Sequence, residues 1–200
     1  QRGLLDNTFI FLSSDNGGSH QSYANNGPLS VYKYCIADGG IKVPMLVSWP
    51  QGFSGGKRSG ALVTHRDIFA TIADITNTKP KKSLDAKSLL PLIKGEVDDI
   101  HQEQFWDTGK NSWAYREGDW KLLLHFDKEY EYYQLDKDGL VIDPLERTWI
   151  KEGYALYNLK EDVGETKNLI DQFPDRVLTM KQRYNQWRAT MGDPVRGKRK

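Results

Sequence analysis

Asp15 and Asn16, followed by Gly17 and Gly18, set a carboxylate and an amide oxygen side by side at the end of an apolar segment. Oxygen donors of this kind suit a hard cation, Ca²⁺ or Mg²⁺, and the glycines let the backbone turn closely beside it. A zinc site is expected to offer His or Cys where Asn16 stands. Asp-Asn-Gly-Gly is also the composition of an ordinary turn, and these four residues alone favour the turn. Lys33, between Tyr32 and Tyr34, can place a point charge on an anionic substrate oxygen, although most lysines are solvated surface residues. His20 is the one histidine of four near the Asp15 segment, a candidate substrate contact set against plain loop hydrogen bonding.

Other patterns fail on inspection. Gly56-Lys57 resembles a phosphate loop, but Arg58 stands where Ser or Thr is required. A calcium loop around Asp136 and Asp138 would begin at Gln134 and end at Leu145, so Asp138-Gly139 reads as a hairpin turn. Cys35, the single cysteine, has no partner for an internal disulfide and leaves no metal spacing to read.

The elements that must position these residues follow from local pattern. Thr8-Phe9-Ile10-Phe11-Leu12 and residues 43–49 are apolar and β-branched without clean alternation, as in strands buried on both faces of a parallel sheet. In open α/β sheets, ligands bind at the carboxyl ends of such strands, where Asp15 and Asn16 lie. The stretch 18–41 between them has no period, and loops of that length are usually functional or disordered. Thr64 to Asp67 with Ile68, Phe69, Ile72, Ala73 and Ile75 predicts a capped amphipathic helix, and residues 85–94 a shorter one stopped by Gly95. Past residue 100 the texture changes. Residues 113–116 and 120–126 flank Glu117-Gly118-Asp119 as a hairpin, 154–159 is a further strand, and Val177, Met180, Tyr184, Trp187 and Met191 recur at helical spacing. The expected architecture is α/β: a partial parallel sheet with helices over 1–100, then a small antiparallel sheet with a closing helix over 101–200.

The 200 residues carry 28 Lys plus Arg against 27 Asp plus Glu, a net charge of +1. The charges are mixed along the chain, which argues against nucleic acid as a partner, and the basic tail 196–200 reads as a frayed end. No apolar run approaches the ~20 residues of a membrane span, so no membrane partner is expected. A chain of this length buries roughly 70% of its unfolded surface and needs no disulfide or structural metal to hold a core. It begins at Gln1 without a methionine or signal pattern, from which an upstream portion is expected.

The ordered segments resemble one family. They are Asp6-Asn7-Thr8 leading to Ser14-Asp15-Asn16-Gly17, Asn26-Gly27-Pro28-Leu29, Lys33 with Asp38-Gly39-Gly40-Ile41-Lys42-Val43-Pro44, Trp49-Pro50, His65-Arg66-Asp67 with Ala70-Thr71-Ile72, Asp85-Ala86-Lys87-Ser88-Leu89-Leu90, and Tyr157-Asn158-Leu159 through Glu165-Thr166-Lys167-Asn168-Leu169. Together they resemble the C-terminal part of the sulfatases, within the alkaline-phosphatase-like superfamily. Lys42 stands where that family commonly has Arg, and Asp38 where it commonly has Glu.

The resemblance implies hydrolysis of a sulfuric ester, with a sulfated carbohydrate or an aryl sulfate as substrate. It implies a formylglycine nucleophile made within a Cys/Ser-x-Pro-x-Arg motif, and a Ca²⁺ ion that with basic residues holds the sulfate oxygens. On this pattern Asp15 and Asn16 match the two later metal ligands and Lys33 a sulfate-contacting lysine. The formylglycine motif and the other catalytic residues belong to the family's N-terminal half, and Cys35-Ile36-Ala37-Asp38-Gly39 lacks the Pro and Arg. The chain is therefore expected to be a C-terminal fragment, inactive alone, whose partner is the missing half of the catalytic domain. Two alternatives remain: a phosphodiesterase or phosphatase relative of the same superfamily, against which Asn16 argues, and a non-catalytic carbohydrate-binding module using the 10 Tyr and 6 Trp. Lack of Asn-x-Ser/Thr sequons and the resemblance favour a periplasmic or secreted bacterial protein.

Overall fold

The computed structural model describes residues 2–108, 112–125, 134–135, 141–142 and 153–192. The fold is mixed α/β, with antiparallel pairings and a C-terminal helix. Two compact units are each built from two stretches of chain: Gln1–Ser13 with Pro44–Gln104, and Ser14–Val43 with Phe105–Lys200. The loop expected to carry the chemistry thus groups with the C-terminal residues. Asp138-Gly139 and the basic tail lie outside the described residues.

In the first unit, β1 (Ile10–Ser13) pairs with β2 (Met45–Ser48). The pair is antiparallel, with Phe11 opposite Val47 and Leu12 opposite Leu46, which corrects the parallel orientation expected for these two strands. Parallel neighbours need a crossover running back along the sheet, usually a helix. The connection here holds only a 3-10 turn (His20–Ser22) and the four-residue helix α1 (Asp38–Ile41). Burial alternates along both strands, so they are not covered on both faces. Leu12 and Leu46, opposite each other, are each 61% exposed.

Helix α2 (Arg66–Ile75) forms as its periodicity predicts, but the face it buries carries Asp67, Ala70, Thr71 and Ala73. Phe69 and Ile72 are exposed. Hydrogen bonds select the buried face. The Asp67 carboxylate accepts from Thr64 N–H at 2.7 Å, Lys87 N–H at 2.9 Å and His101 Nε2 at 2.9 Å, and Thr71 Oγ1 accepts from Leu89 N–H. These bonds tie the backbone of Lys87 and Leu89 to α2 ahead of α3, which is confined to Leu90–Lys94 and does not start near Asp85; Gly95 ends it at φ +80. Leu12 and Leu46 face each other across β1 and β2, and Phe69 and Ile72 lie one turn apart on α2, so each pair exposes neighbouring apolar side chains. The purified 200-residue chain is accordingly expected to self-associate and to bind an apolar dye. A monodisperse monomer in gel filtration with no dye fluorescence would refute this.

The second unit is built on a four-stranded sheet in the order β3 (Glu103–Asp107), β4 (Trp113–Glu117), β5 (Trp120–His125), β8 (Gly153–Asn158). Strands β4 and β5 form the predicted hairpin, with Glu117 opposite Trp120 and Gly118 at φ +55 in the turn. Two short strands, β6 (Gln134–Leu135) and β7 (Val141–Ile142), pair separately. One face of the larger sheet, through Trp113, Tyr115, Leu122, Leu124 and Leu156, packs on Val177, Met180 and Tyr184 of α4 (Pro174–Thr190). Trp113 stacks on Tyr184 with ring centroids 3.8 Å apart, and Phe105 on Trp187 at 4.7 Å. Pro174 starts α4 where its missing N–H costs nothing. The opposite face, through Ala114, Leu123, Ala155 and Tyr157, packs on Ile36 of the long loop. The sheet is therefore a platform with a helix beneath and the residue 30–40 loop above.

Candidate functional site

Asp15 and Asn16 lie just past the end of β1, Asp15 exposed and Asn16 half-buried. The Asn16 side-chain amide donates to Asp15 Oδ2, and Ser14 Oγ donates to the Asn16 carbonyl at 2.8 Å. The glycines after them are explained by proximity. Gly17 N–H donates to the Gly40 carbonyl at 2.9 Å, and a Cβ on Gly17 would sit 1.7 Å from the Gly39 oxygen. A Cβ on Gly39 would meet the Ser30 oxygen at 2.0 Å, and one on Gly40 the Cys35 oxygen at 2.1 Å. Three bare backbones in contact are what Asp15-Asn16-Gly17 and Asp38-Gly39-Gly40 encode.

Lys33 is drawn to the same place. Its N–H donates to the Gly18 carbonyl at 3.0 Å. Asn26 braces the approach, its Oδ1 accepting from Gly18 N–H and its Nδ2 donating to the carbonyls of Gly18 and Val31, all within 3.0 Å. The Lys33 ammonium lies 5.3 Å from the Tyr34 ring centroid, in reach of a cation–π contact. His20 opens the 3-10 turn on the intervening stretch. The backbone thus gathers the Asp15-Asn16 and Lys33 segments, 17 positions apart, into one corner of the second unit.

Beneath that corner is a buried ion network that the sequence reading missed. Lys121 Nζ, on the loop-facing side of β5 and fully buried, lies 2.6 Å from Asp38 Oδ1 and 2.8 Å from Glu165 Oε1. Glu165 Oε2 accepts from Ser30 Oγ at 3.1 Å and from the Asp38 N–H. Burial alone would raise the Asp38 carboxyl and lower the Lys121 ammonium. The attraction of Lys121 overrides this for Asp38, which titrates below its ordinary 3.8, and that of Glu165 and Asp38 overrides it for Lys121, which titrates above 10.5. Lys42, at 3.9 Å, adds a weaker partner for Asp38. One signal was available: Lys121 interrupts an otherwise apolar strand, and a lysine there must find anions.

As a cation site the donors fit in kind, since a carboxylate and an amide oxygen are hard ligands, but two fall short of the six to eight that Ca²⁺ takes. Among the described residues, no group of three or more His, Cys, Asp or Glu side chains is placed to hold a metal ion. His65 Nε2 is 3.0 Å from Ser13 Oγ, and His101 is bound to Asp67, so both serve local structure.

Residues 1–78 match the family model described as Sulfatase. An ulvan-active sulfatase of Formosa agariphila is 31% identical over 209 residues, covering 95% of this chain and 39% of that protein. A further protein of the same bacterium, described as a sulfatase, is 28% identical over 197 residues, covering 92% of this chain and 34% of that one. The crystal structure of Ps i-CgsB in complex with k-i-k-neocarrahexaose superposes with a TM-score of 0.73 at 25% identity, covering 96% of this chain and 38% of the other. These findings support a likeness to the C-terminal part of the sulfatases over nearly the whole chain. The chain spans about a third of the length of the curated sulfatases it matches. Within the segment matched by that family model, Asp38 at the start of α1 is a structural anchor, its carboxylate turned to buried Lys121. No helix among the described residues is long and apolar enough to cross a membrane.

Proposed function

We propose that the protein hydrolyses a sulfuric ester on a carbohydrate, with Asp15 and Asn16 as two oxygen ligands of a Ca²⁺ ion and Lys33 as a contact to the sulfate. The observation that carries this is the backbone hydrogen bond from the Lys33 N–H to the Gly18 carbonyl, which joins the segment bearing Lys33 to the one that holds two hard oxygen donors. When bound, the cation polarises the sulfate and offsets its charge. Asp15 supplies the anionic ligand, Asn16 the neutral one, and Lys33 a charge-assisted hydrogen bond to a sulfate oxygen. The formylglycine nucleophile and the remaining ligands come from a further part of the catalytic domain, which these residues do not include. An ulvan-active relative and a neocarrahexaose-bound neighbour support a sulfated polysaccharide as the substrate class. The likeness to bacterial sulfatases and the lack of sequons support the reading of a periplasmic or secreted bacterial protein. A phosphoryl-transfer relative is the second reading. It is disfavoured by Asn16, a hard donor where a zinc centre would use a nitrogen ligand.

Replacing Lys33 with Ala in the full-length enzyme is expected to slow hydrolysis of a sulfate ester at least ~10-fold, since hydrogen bonds to charged groups contribute ~1.5 to 3 kcal/mol. Rates are to be compared on matched sulfate and phosphate esters. An unchanged rate constant on the sulfate ester would return Lys33 to the role of a surface lysine, and faster turnover of the phosphate ester would favour the second reading.

A further inference from the structure

Glu165 holds both ends of the segment that carries Lys33. Its Oε2 takes hydrogen bonds from Ser30 Oγ and from the Asp38 N–H, on either side of Lys33 in the chain, and its Oε1 is held by Lys121. Between those anchors the backbone is strained. Val31 sits at φ +60 and Tyr34 at φ +78, a region L-residues avoid and in which a β-branched side chain is an outlier. Glu165 itself is at φ +52, where Gly or Asn would rest more easily. Its turn is closed by Asp162 Oδ2, which accepts from the N–H groups of Thr166 and Lys167 at 2.8 Å. Strain of this kind persists only where the surroundings over-determine the conformation, and it gathers at ligand clamps. A loop needed only to cover the sheet could be made from relaxed turns. This one spends a fully buried lysine and two buried carboxylates on holding a strained path whose half-buried side chain is Lys33.

We propose that Glu165, oriented by Lys121, is a positioning residue for Lys33, fixing the 30–38 segment so that the ammonium meets an anionic group held at Asp15 and Asn16. The proposal rests on the reading of Lys33 as the sulfate contact. Glu165 touches no substrate and acts through the backbone at Ser30 and Asp38. Misplacement of a reacting or binding group by about 1 Å costs up to ~10²-fold in rate.

A double-mutant cycle in the full-length enzyme tests this. Glu165→Gln keeps the side-chain size but turns an NH₂ donor toward either Lys121 or the donors of Ser30 and Asp38. It is expected to lower kcat/KM for a sulfate ester about 10-fold alone, and less than about 2-fold when Lys33 is already Ala, because a group acting through Lys33 has nothing left to position. The Ki of inorganic sulfate should rise with the first loss and not with the second. Equal losses in both backgrounds, or an unchanged Ki with a lowered melting temperature, would assign Glu165 to stability alone and overturn the proposal. If Lys33→Ala by itself leaves kcat/KM unchanged, the sulfate-contact reading fails first, and the positioning role falls with it. Should Glu165→Gln not fold, Ser30→Ala removes one of the two anchors with little loss of packing and runs the same cycle, with coupling to Lys33→Ala of about 3-fold expected and none overturning the proposal.

Discussion

Asp15→Ala in the full-length enzyme is expected to lower kcat by roughly 10²–10³-fold, the size of effect seen when one preorganised electrostatic group is removed from a transition state that develops charge. On the proposed reading Asp15 is the anionic ligand of the Asp15-Asn16 pair, so its loss would remove both a ligand and the charge that attracts the cation. The same substitution should leave the fold almost untouched. The carboxylate is exposed and receives a hydrogen bond from Asn16, a contact between neighbours in sequence rather than a tie across the fold, so the melting temperature is expected to stay within about 2 °C. Added Ca²⁺ should partly restore turnover if the remaining ligands still bind weakly. Full activity of the variant at limiting Ca²⁺ would remove Asp15 from the metal site, and a large drop in melting temperature would mean that it has a structural duty instead.

The second large effect is on stability. Lys121→Met removes the cation between Asp38 and Glu165 and leaves two buried carboxylates without it, a change that costs roughly 3 to 5 kcal/mol when one partner of a buried ion pair is deleted. In a protein of this size that corresponds to a fall in melting temperature of about 6 °C or more. The dependence on pH follows from the direction of each shift. Asp38 titrates below its ordinary 3.8, so its contribution is present above that value and is lost as pH falls through the lowered one. Lys121 titrates above its ordinary 10.5, so its contribution is complete below that pH and is lost as pH rises through the raised value. The wild-type protein should therefore owe stability to this network across the whole range between, and Lys121→Met should flatten the acid limb near and below pH ~4. Thermal unfolding at several pH values checks both points. A variant that melts within a degree or two of wild type at neutral pH would mean that the buried carboxylates rearrange or share a proton at little cost.

Much of the architecture was legible in local pattern. Val177, Met180 and Tyr184 at helical spacing after Pro174 specify α4, Gly118 in a two-residue turn specifies the β4–β5 hairpin, and Gly95 marks the end of α3, because caps, turns and periodicity are properties of a few consecutive residues. Residue types and the family resemblance singled out Asp15, Asn16 and Lys33, whereas the close approach of Gly17 to Gly39 and Gly40 that gathers their backbones was visible only in the structure.

What local pattern did not decide was set by contacts between distant positions. The direction of β2 relative to β1 depends on the path of the connection, and an apolar run without alternation carries no information about it. The buried face of α2 is the one whose Asp67 and Thr71 find donors and acceptors at Lys87, Leu89 and His101, so the larger apolar side chains Phe69 and Ile72 stay outside. Lys121 is 83 positions from Asp38, and Asp38 is 127 from Glu165. The residue types and local turns were determined by the sequence alone. Only the tertiary structure decided that these three charges meet away from water beneath the Lys33 loop, because the energy that makes an ion pair in a protein interior depends on who else excludes the solvent.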